Sequence, residues 1–250
     1  MVHIVTVHYN TPRFIELCIK AVHLYATVPY EHVVIDTGSR AKSLAVLKRY
    51  HKWVTLIRRR EREGPGAHAR SIDWFLNGRR NLNMVCLLDS DAFPTQKGWL
   101  KTLLGRIHAG ADATGFAHFR NKVLLHPACM LFKHSAYVKS GRPSFRIVGL
   151  GKSIEDTGMV VCEEMKKHGF KLDPINMDGP AYRKRGFSGR MIEHRWCATR
   201  ITRVPKNGKL DGKIPRENFE RNSDSWFKHP AVKKILRHDL CAAKKSLGLR

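Results

Sequence analysis

Two aspartates one residue apart, Asp89-Ser90-Asp91, close the apolar run Met84-Val85-Cys86-Leu87-Leu88. Five apolar residues in a row predict a buried strand of a parallel sheet. The acids leave that strand at its C-terminal end, where open α/β sheets place their ligand sites. Carboxylates this close repel each other, and a buried site does not hold them unpaired. A hard divalent cation with oxygen ligands relieves the conflict. Mn2+ or Mg2+ held by one or two carboxylates commonly grips a substrate phosphate as well. The plainer reading is a loop acid and a helix cap, because Pro94 and a helix-like stretch from Gly98 to Leu104 follow. The position straight after a wholly apolar strand favours the metal.

Three further sites fall at predicted strand ends: Thr6-Val7-His8-Tyr9-Asn10, Asp36-Thr37-Gly38-Ser39 and Gly64-Pro65-Gly66-Ala67-His68-Ala69-Arg70. Asp36 can accept a hydrogen bond from a base or a ribose. A Gly-rich turn lets backbone N–H groups approach a phosphate at a helix N-terminus, and Arg70 adds a cation. With the acid pair, these describe a nucleotide-diphosphate site. Its lining is Thr6, His8, Tyr9, Asn10, Asp36, Gly66, Arg70, Asp89 and Ser90, with the cation on Asp89 and Asp91. The Gly-Pro-Gly turn supports this reading without carrying it. Arg58-Arg59-Arg60-Glu61-Arg62 fits either a phosphate lining or a strand-end charge run.

Alternating strands and helices must position these groups. His3 to His8 reads as a strand, and Thr11-Pro12 caps a helix running to about Ala26. His32 to Ile35 is a second strand, Ser43 to Tyr50 a helix, and Val54 to Ile57 a third strand. Gly64-Pro65-Gly66 opens a helix through Asn77, and the Asp89 strand follows. This order predicts a mostly parallel sheet with crossover helices. Further on, Ala113 to His118 and Ala128 to Phe132 look like strands, Glu155 to Gly169 a helix, and Leu172 starts a late strand. From His229 to Leu247 the pattern fits a basic amphipathic helix with Val232, Ile235, Leu236, Leu240 and Ala243 on one face.

Lys and Arg number 46 against 21 acids, a net charge of +25. Folding gains nothing from that excess, and self-repulsion costs stability. A polyanionic partner is the natural counterpart. Residues 182–250 alone hold nineteen Lys and Arg against six acids, with aromatic residues between them. Hydrophobic residues make up 42% of the chain, enough for a core. Six cysteines lie scattered with no Cys-x-x-Cys pair, most of them in apolar runs. They read as reduced core residues of a cytosolic protein. The chain begins on a strand with no basic leader, and no apolar stretch approaches the ~20 residues that span a bilayer. The expected compartment is the cytoplasm, that of a host cell if the protein is viral.

Five segments resemble the family 2 glycosyltransferases of the A-type (GT-A) fold, over roughly residues 2 to 170. "VTVHYN" is similar to the family's opening strand, "VVIDTGS" to its Val-Asp-Asn-Gly-Ser, and "LLDSDAFP" to its metal-binding segment. "GPGAHARS" resembles the Gly-rich helix start, with Ser71 where Asn is commoner. "IEDTGMVVCEEMKKHGFKL" resembles the Glu-Asp helix on the acceptor side. The resemblance implies a Rossmann-like α/β catalytic domain over 1–181, with a nucleotide-sugar half to about residue 100 and an acceptor half beyond it. Residues 182–250 would be a basic extension packed on the same domain. It implies a UDP-linked sugar donor and Mn2+ or Mg2+ on Asp91 and Asp89. Asp36 would contact the base, and Asp156 would deprotonate the acceptor hydroxyl, giving inversion. As an acid pair at a helix N-terminus, Glu155-Asp156 fits a dipole role equally well. Some A-type enzymes bring a late His back to the metal, which makes His194 a candidate third ligand; among 14 His, a surface or core role is the alternative.

Charge points to the acceptor. One expectation is DNA carrying a hydroxymethylated base, bound through Glu155, Arg183, Lys184, Arg185, Arg195, Trp196 and Trp226, with the target base flipped out. Another is a lipid-linked or cell-surface glycan at an anionic membrane face, with the C-terminal helix as anchor. A nucleotidyltransferase would carry a Gly-rich loop with Lys after the first strand, where this chain has His8-Tyr9-Asn10-Thr11-Pro12. A non-enzymatic nucleic-acid module would not need Asp36, Asp89, Asp91 and Asp156 on one rim.

Overall fold

Residues on the first strand alternate between two cores, and that alternation fixes the architecture. The computed structural model describes residues 1–59, 66–117, 123–146, 149–150, 153–154, 157–175, 190–195, 205–210, 214–238 and 240. Its first half runs β1 (Val2–His8), α1 (Pro12–Tyr25), β2 (Tyr30–Asp36), α2 (Ala41–Arg49), β3 (Thr55–Arg58), α3 (Ala67–Asn77), β4 (Met84–Leu88), β5 (Ala92–Pro94) and α4 (Trp99–His108). The second half runs β6 (Ala113–Ala117), β7 (Leu125–Lys133), α5 (His134–Lys139), β8 (Gly149–Leu150), β9 (Ser153–Ile154), α6 (Met159–Lys167) and β10 (Leu172–Ile175). Then come β11 (Ile192–His194), β12 (Lys209–Leu210), β13 (Ile214–Pro215), α7 (Arg216–Lys228) and α8 (Pro230–Arg237).

Seven strands form one sheet in the order β10-β6-β7-β4-β1-β2-β3. The β1, β2, β3 and β4 neighbours are parallel, as is β10 on β6. The sheet is therefore mostly parallel, but β7 runs antiparallel between β4 and β6. The chain between Ala117 and Leu125 is too short for a crossover of a dozen or more residues, so it can only return as a hairpin-like partner. Gly115 permits that return. A Cβ there would stand 2.1 Å from the Cys129 carbonyl oxygen, and the register shifts between Gly115 and Ala117.

Val5, Val7, Val33, Ile35, Val85 and Leu87 face one core, closed by Ile72, Phe75 and Leu76 of α3 and by Val161 and Met165 of α6. Val2, Ile4, Cys86 and Leu88 face the other, closed by Cys18 and Val22 of α1 and by Trp99, Leu100 and Leu103 of α4. Period-two alternation gives each strand two such faces. Each fully buried side chain of this size contributes about 1.5–3 kcal/mol.

Helix α1 is covered on three sides. Cys18 and Val22 face the sheet, and Ile15 and Ile19 face α2 with Val46 and Leu47. Phe14, Leu17 and Ala21 meet Trp226, Phe227, Val232 and Ile235 of the C-terminal helices. Val232 and Ile235, on the apolar face of α8, are thus packed against α1. Pro230 starts α8, and His229 Nδ1 caps it by accepting from the Ala231 N–H at 3.2 Å. The helix stops at Arg237; Leu240 is buried with Ile15, Ile19 and Leu47, and residues 241–247 of the predicted stretch, Ala243 among them, lie outside the described residues. Helix α6 begins at Met159 and ends before Gly169, whose φ is 78°. Thr11 caps nothing with its side chain. Cys18, Cys86, Cys129 and Cys162 are buried and free, as expected; Cys197 and Cys241 lie outside the described residues.

Candidate metal centre

The parallel register of β1 on β4 carries the end of β4 to the same sheet edge as the ends of β1 and β2. Directly after β4, the Asp89 N–H donates to the Ala128 carbonyl at 3.2 Å, and the Ala92 N–H donates to the Asp89 carbonyl at 2.9 Å. This tight turn sets both carboxylates on one side. Strand β11 then lies antiparallel on β5, with His194 opposite Ala92, and the Arg195 N–H donates to the Asp91 carbonyl at 2.9 Å. The His194 Nε2 stands 3.5 Å from an Asp89 oxygen and 3.4 Å from an Asp91 oxygen. One ligand atom from each of the three lies within 4.8 Å of the others.

That donor set, two carboxylates and one imidazole, suits Mn2+ or Mg2+. The electrostatics agree. Burial would push the His194 imidazole down, but the Asp91 and Asp89 carboxylates outweigh it and hold the group up at about 10. Burial would likewise raise the Asp89 carboxyl, yet His194 and His68 hold it well below the usual carboxylate range. In the protein alone, a proton on His194 serves as the positive charge between two acids. His68, the second residue of α3, contacts Asp89 from the far side, Nε2 to Oδ1 at 3.1 Å. His68 thus positions Asp89, a contact that no signal in the sequence marks. The His126 ring lies 5.9 Å from that of His194.

Asp36, at the end of β2, is fully buried. Its Oδ2 accepts from the Ser39 N–H at 3.2 Å and the Gly38 N–H at 3.4 Å, with Arg58 at 4.0 Å. Its Oδ1 is buried with no hydrogen-bond partner among the described residues. A buried carboxylate oxygen without a donor is costly, and a ligand N–H or O–H would satisfy it. Asn10 staples β1 to this loop. At φ 51° its N–H donates to Ser39 Oγ at 3.0 Å and its Oδ1 accepts from the Arg40 N–H at 2.8 Å. Tyr9 is buried beside it. Gly66, at φ 126°, precedes α3, and a Cβ there would come within 3.2 Å of the Arg70 guanidinium.

Several expected donor contacts take other places. Thr6 and His8 are fully buried. Thr6 Oγ1 bonds His32 Nε2 at 3.0 Å, and His8 Nδ1 bonds Thr11 Oγ1 at 3.2 Å. Both belong to the layer between the sheet and α1, because they share the strand face of Ile4. Ser90 is also buried, its Oγ 3.4 Å from Thr11 Oγ1, so it ties the acid turn to the start of α1. Trp226 packs edge-on against Phe93 at 5.7 Å, with the Arg195 guanidinium 5.7 Å from its ring. It is buried and offers no face for base stacking. Phe227 is buried too, against Phe14. Glu155, Asp156, Arg183, Lys184, Arg185 and Trp196 lie outside the described residues.

Residues 3–126 match the family described as Glycosyl transferase family 2. No curated protein matches the sequence. Among solved structures, the chain is similar to the Pyrobaculum calidifontis mannosyltransferase PcManGT in complex with GDP-Man and Mn2+, at 16% identity and TM-score 0.55, over 99% of this chain and 74% of that one. It is similar to TarS of S. aureus at 14% identity and TM-score 0.53, covering 71% of this chain but only 35% of TarS. A third likeness is glucosyl-3-phosphoglycerate synthase of Mycobacterium tuberculosis with Mn2+ and UDP-glucose, at 12% identity and TM-score 0.51, over 71% of this chain and 69% of that one. The acid turn, the sheet order and the family match converge: the chain has the GT-A fold, and its first half, residues 3–126, matches the family 2 glycosyltransferases.

Proposed function

We propose that the chain moves a sugar from a UDP-linked donor to an acceptor hydroxyl with inversion at the anomeric carbon, and that the acceptor is a hydroxymethylated base in DNA. The observation that carries the transferase reading is the convergence of Asp89, Asp91 and His194 within 4.8 Å, at the sheet edge that also holds the unpartnered Asp36 oxygen. Asp36 would accept from the base or ribose of the donor. Gly66 and the first turn of α3 would face its phosphates, with Arg70 as cation. Asp89, Asp91 and His194 would hold Mn2+ or Mg2+, which when bound neutralises charge on a departing diphosphate. Asp156 would take the acceptor proton, as the family resemblance implies. The acceptor oxygen then bonds the anomeric carbon as the carbon–oxygen bond to the nucleoside diphosphate breaks. Attack from the face opposite the leaving group inverts the centre.

The net charge of +25 supports a polyanionic acceptor, since a small donor does not call for it. DNA is favoured over a membrane glycan because Val232 and Ile235, the apolar face of the would-be anchor, are covered by α1. Two measurements test the reading. UDP-glucose or UDP-GlcNAc with Mn2+ should raise the melting temperature, through binding to the native state, while GDP-mannose should not. Labelled sugar should then pass to a hydroxymethylated duplex. Full turnover by Asp91→Ala would overturn the metal role, and transfer to a glycan but not to DNA would overturn the acceptor.

A further inference from the structure

A second cationic site lies at the other end of α1 from the metal centre. Thr11, beside Ser90, marks the metal end of that helix. Leu24 stands near its far end, about 18 Å along the axis from Pro12, the first helical residue, at 1.5 Å per residue. There a groove of about 550 Å³ opens between α1 and α8, lined by Leu24, Pro230, Lys233, Lys234, Arg237 and His238. None of the lining side chains is acidic. Lys233, Lys234 and Arg237 are exposed, and none is ion-paired among the described residues. The support beneath is packed. Val232 and Ile235 are buried on α1, and the Lys20 ammonium donates to the Leu236 carbonyl.

Three cations on the outer face of an eight-residue helix repel one another unless an anion lies between them. We propose that this groove is a phosphate-backbone site for the duplex, a second grip that holds flanking DNA while the target base is at the metal centre. The proposal rests on the DNA reading above. At 3.4 Å per base step, about 18 Å corresponds to about five base pairs. The groove thus meets phosphates roughly that far from the modified base. It would fix position along the duplex without reading sequence, as backbone contacts do.

The experiment compares wild type, the triple variant Lys233→Ala, Lys234→Ala, Arg237→Ala, and a charge-matched control, Lys97→Ala, Lys101→Ala, Lys139→Ala, whose three lysines are exposed elsewhere. Binding to a duplex of about 24 base pairs is measured against KCl concentration. Losing three phosphate contacts should reduce the slope of log K on log salt by about 2–3 and weaken binding at low salt at least tenfold. The control should stay close to wild type. On a hairpin with about three base pairs beyond the target, too short to reach the groove, the deficit should vanish. Equal losses in both triple variants, or an undiminished slope in the groove variant, would overturn the groove while leaving the DNA reading intact. Failure of wild type to bind duplex at low salt, with tight binding to heparin or phosphatidylglycerol vesicles, would overturn both.

Discussion

His194 faces both carboxylates of the acid turn, whereas His68 touches one, and this difference predicts a ranking. His194→Ala removes the proposed third ligand and leaves Asp89 and Asp91 facing each other, so Mn2+ affinity should fall by more than about 100-fold. His68→Ala removes only an orienting partner of Asp89, a change that typically costs about 10-fold or somewhat more. Isothermal titration with Mn2+ gives the order; a reversed order would make His68 the ligand. Asp36→Asn keeps an acceptor for the Ser39 N–H but removes the negative charge. Affinity for the sugar nucleotide should fall about 10- to 150-fold, the loss expected for a charge-assisted hydrogen bond worth about 1.5–3 kcal/mol, while Mn2+ affinity stays unchanged. The acid turn was legible because an apolar strand ran straight into it. The roles of Thr6 and His8 were not. Sequence places them near the strand end, but only the pleat decides that they share the buried face of Ile4.

At the scale of elements, the decisive contact is the pairing of β11 with β5. Strand β5 is Ala92-Phe93-Pro94, three residues that no alternation could mark as a strand, and β11 is equally short. His194 could be suspected from its type, yet the ladder that delivers it was hidden, because two three-residue strands leave no periodicity to read. Helix α1, by contrast, was legible almost to the residue, while its burial on three sides required knowing that α7 and α8 return to cover Phe14 and Ala21. If β11 positions the imidazole, weakening it should uncouple stability from metal binding in a recognisable way. Ile192 is buried in the core under β5, and Ile19 is equally buried between α1 and α2. Replacing either by Ala should cost about 2–4 kcal/mol in denaturant unfolding. Only Ile192→Ala should also weaken Mn2+ binding, by several-fold, because only its strand carries a proposed ligand. Equal Mn2+ affinity in the two variants would show that His194 is held without the ladder.

For the whole molecule, acid should be the most damaging condition, for two reasons that act in the same direction. A chain at +25 gains further positive charge as its carboxylates are protonated, and self-repulsion grows. Beneath that, burial drives the imidazoles of His32 and His8 down from 6.5 to about 3. Above pH 6.5 these groups are neutral in both the folded and the unfolded chain and contribute nothing to the balance. Between 6.5 and 3 the unfolded chain binds protons that the folded chain refuses, so stability falls with pH by about 1.4 kcal/mol per unit for each group. His32 permits the cleaner test, because it lies inside the sheet on Thr6 and apart from the acid turn. Wild type and His32→Gln should be unfolded in urea at pH 6.5 and pH 4.5, at fixed high salt to screen the general repulsion. The variant will be less stable at pH 6.5, having lost a packed ring. Its further loss on acidification should be smaller than that of wild type by about 2–3 kcal/mol. Parallel losses in the two proteins would mean that His32 takes up its proton while folded, and that the acid sensitivity comes from net charge alone.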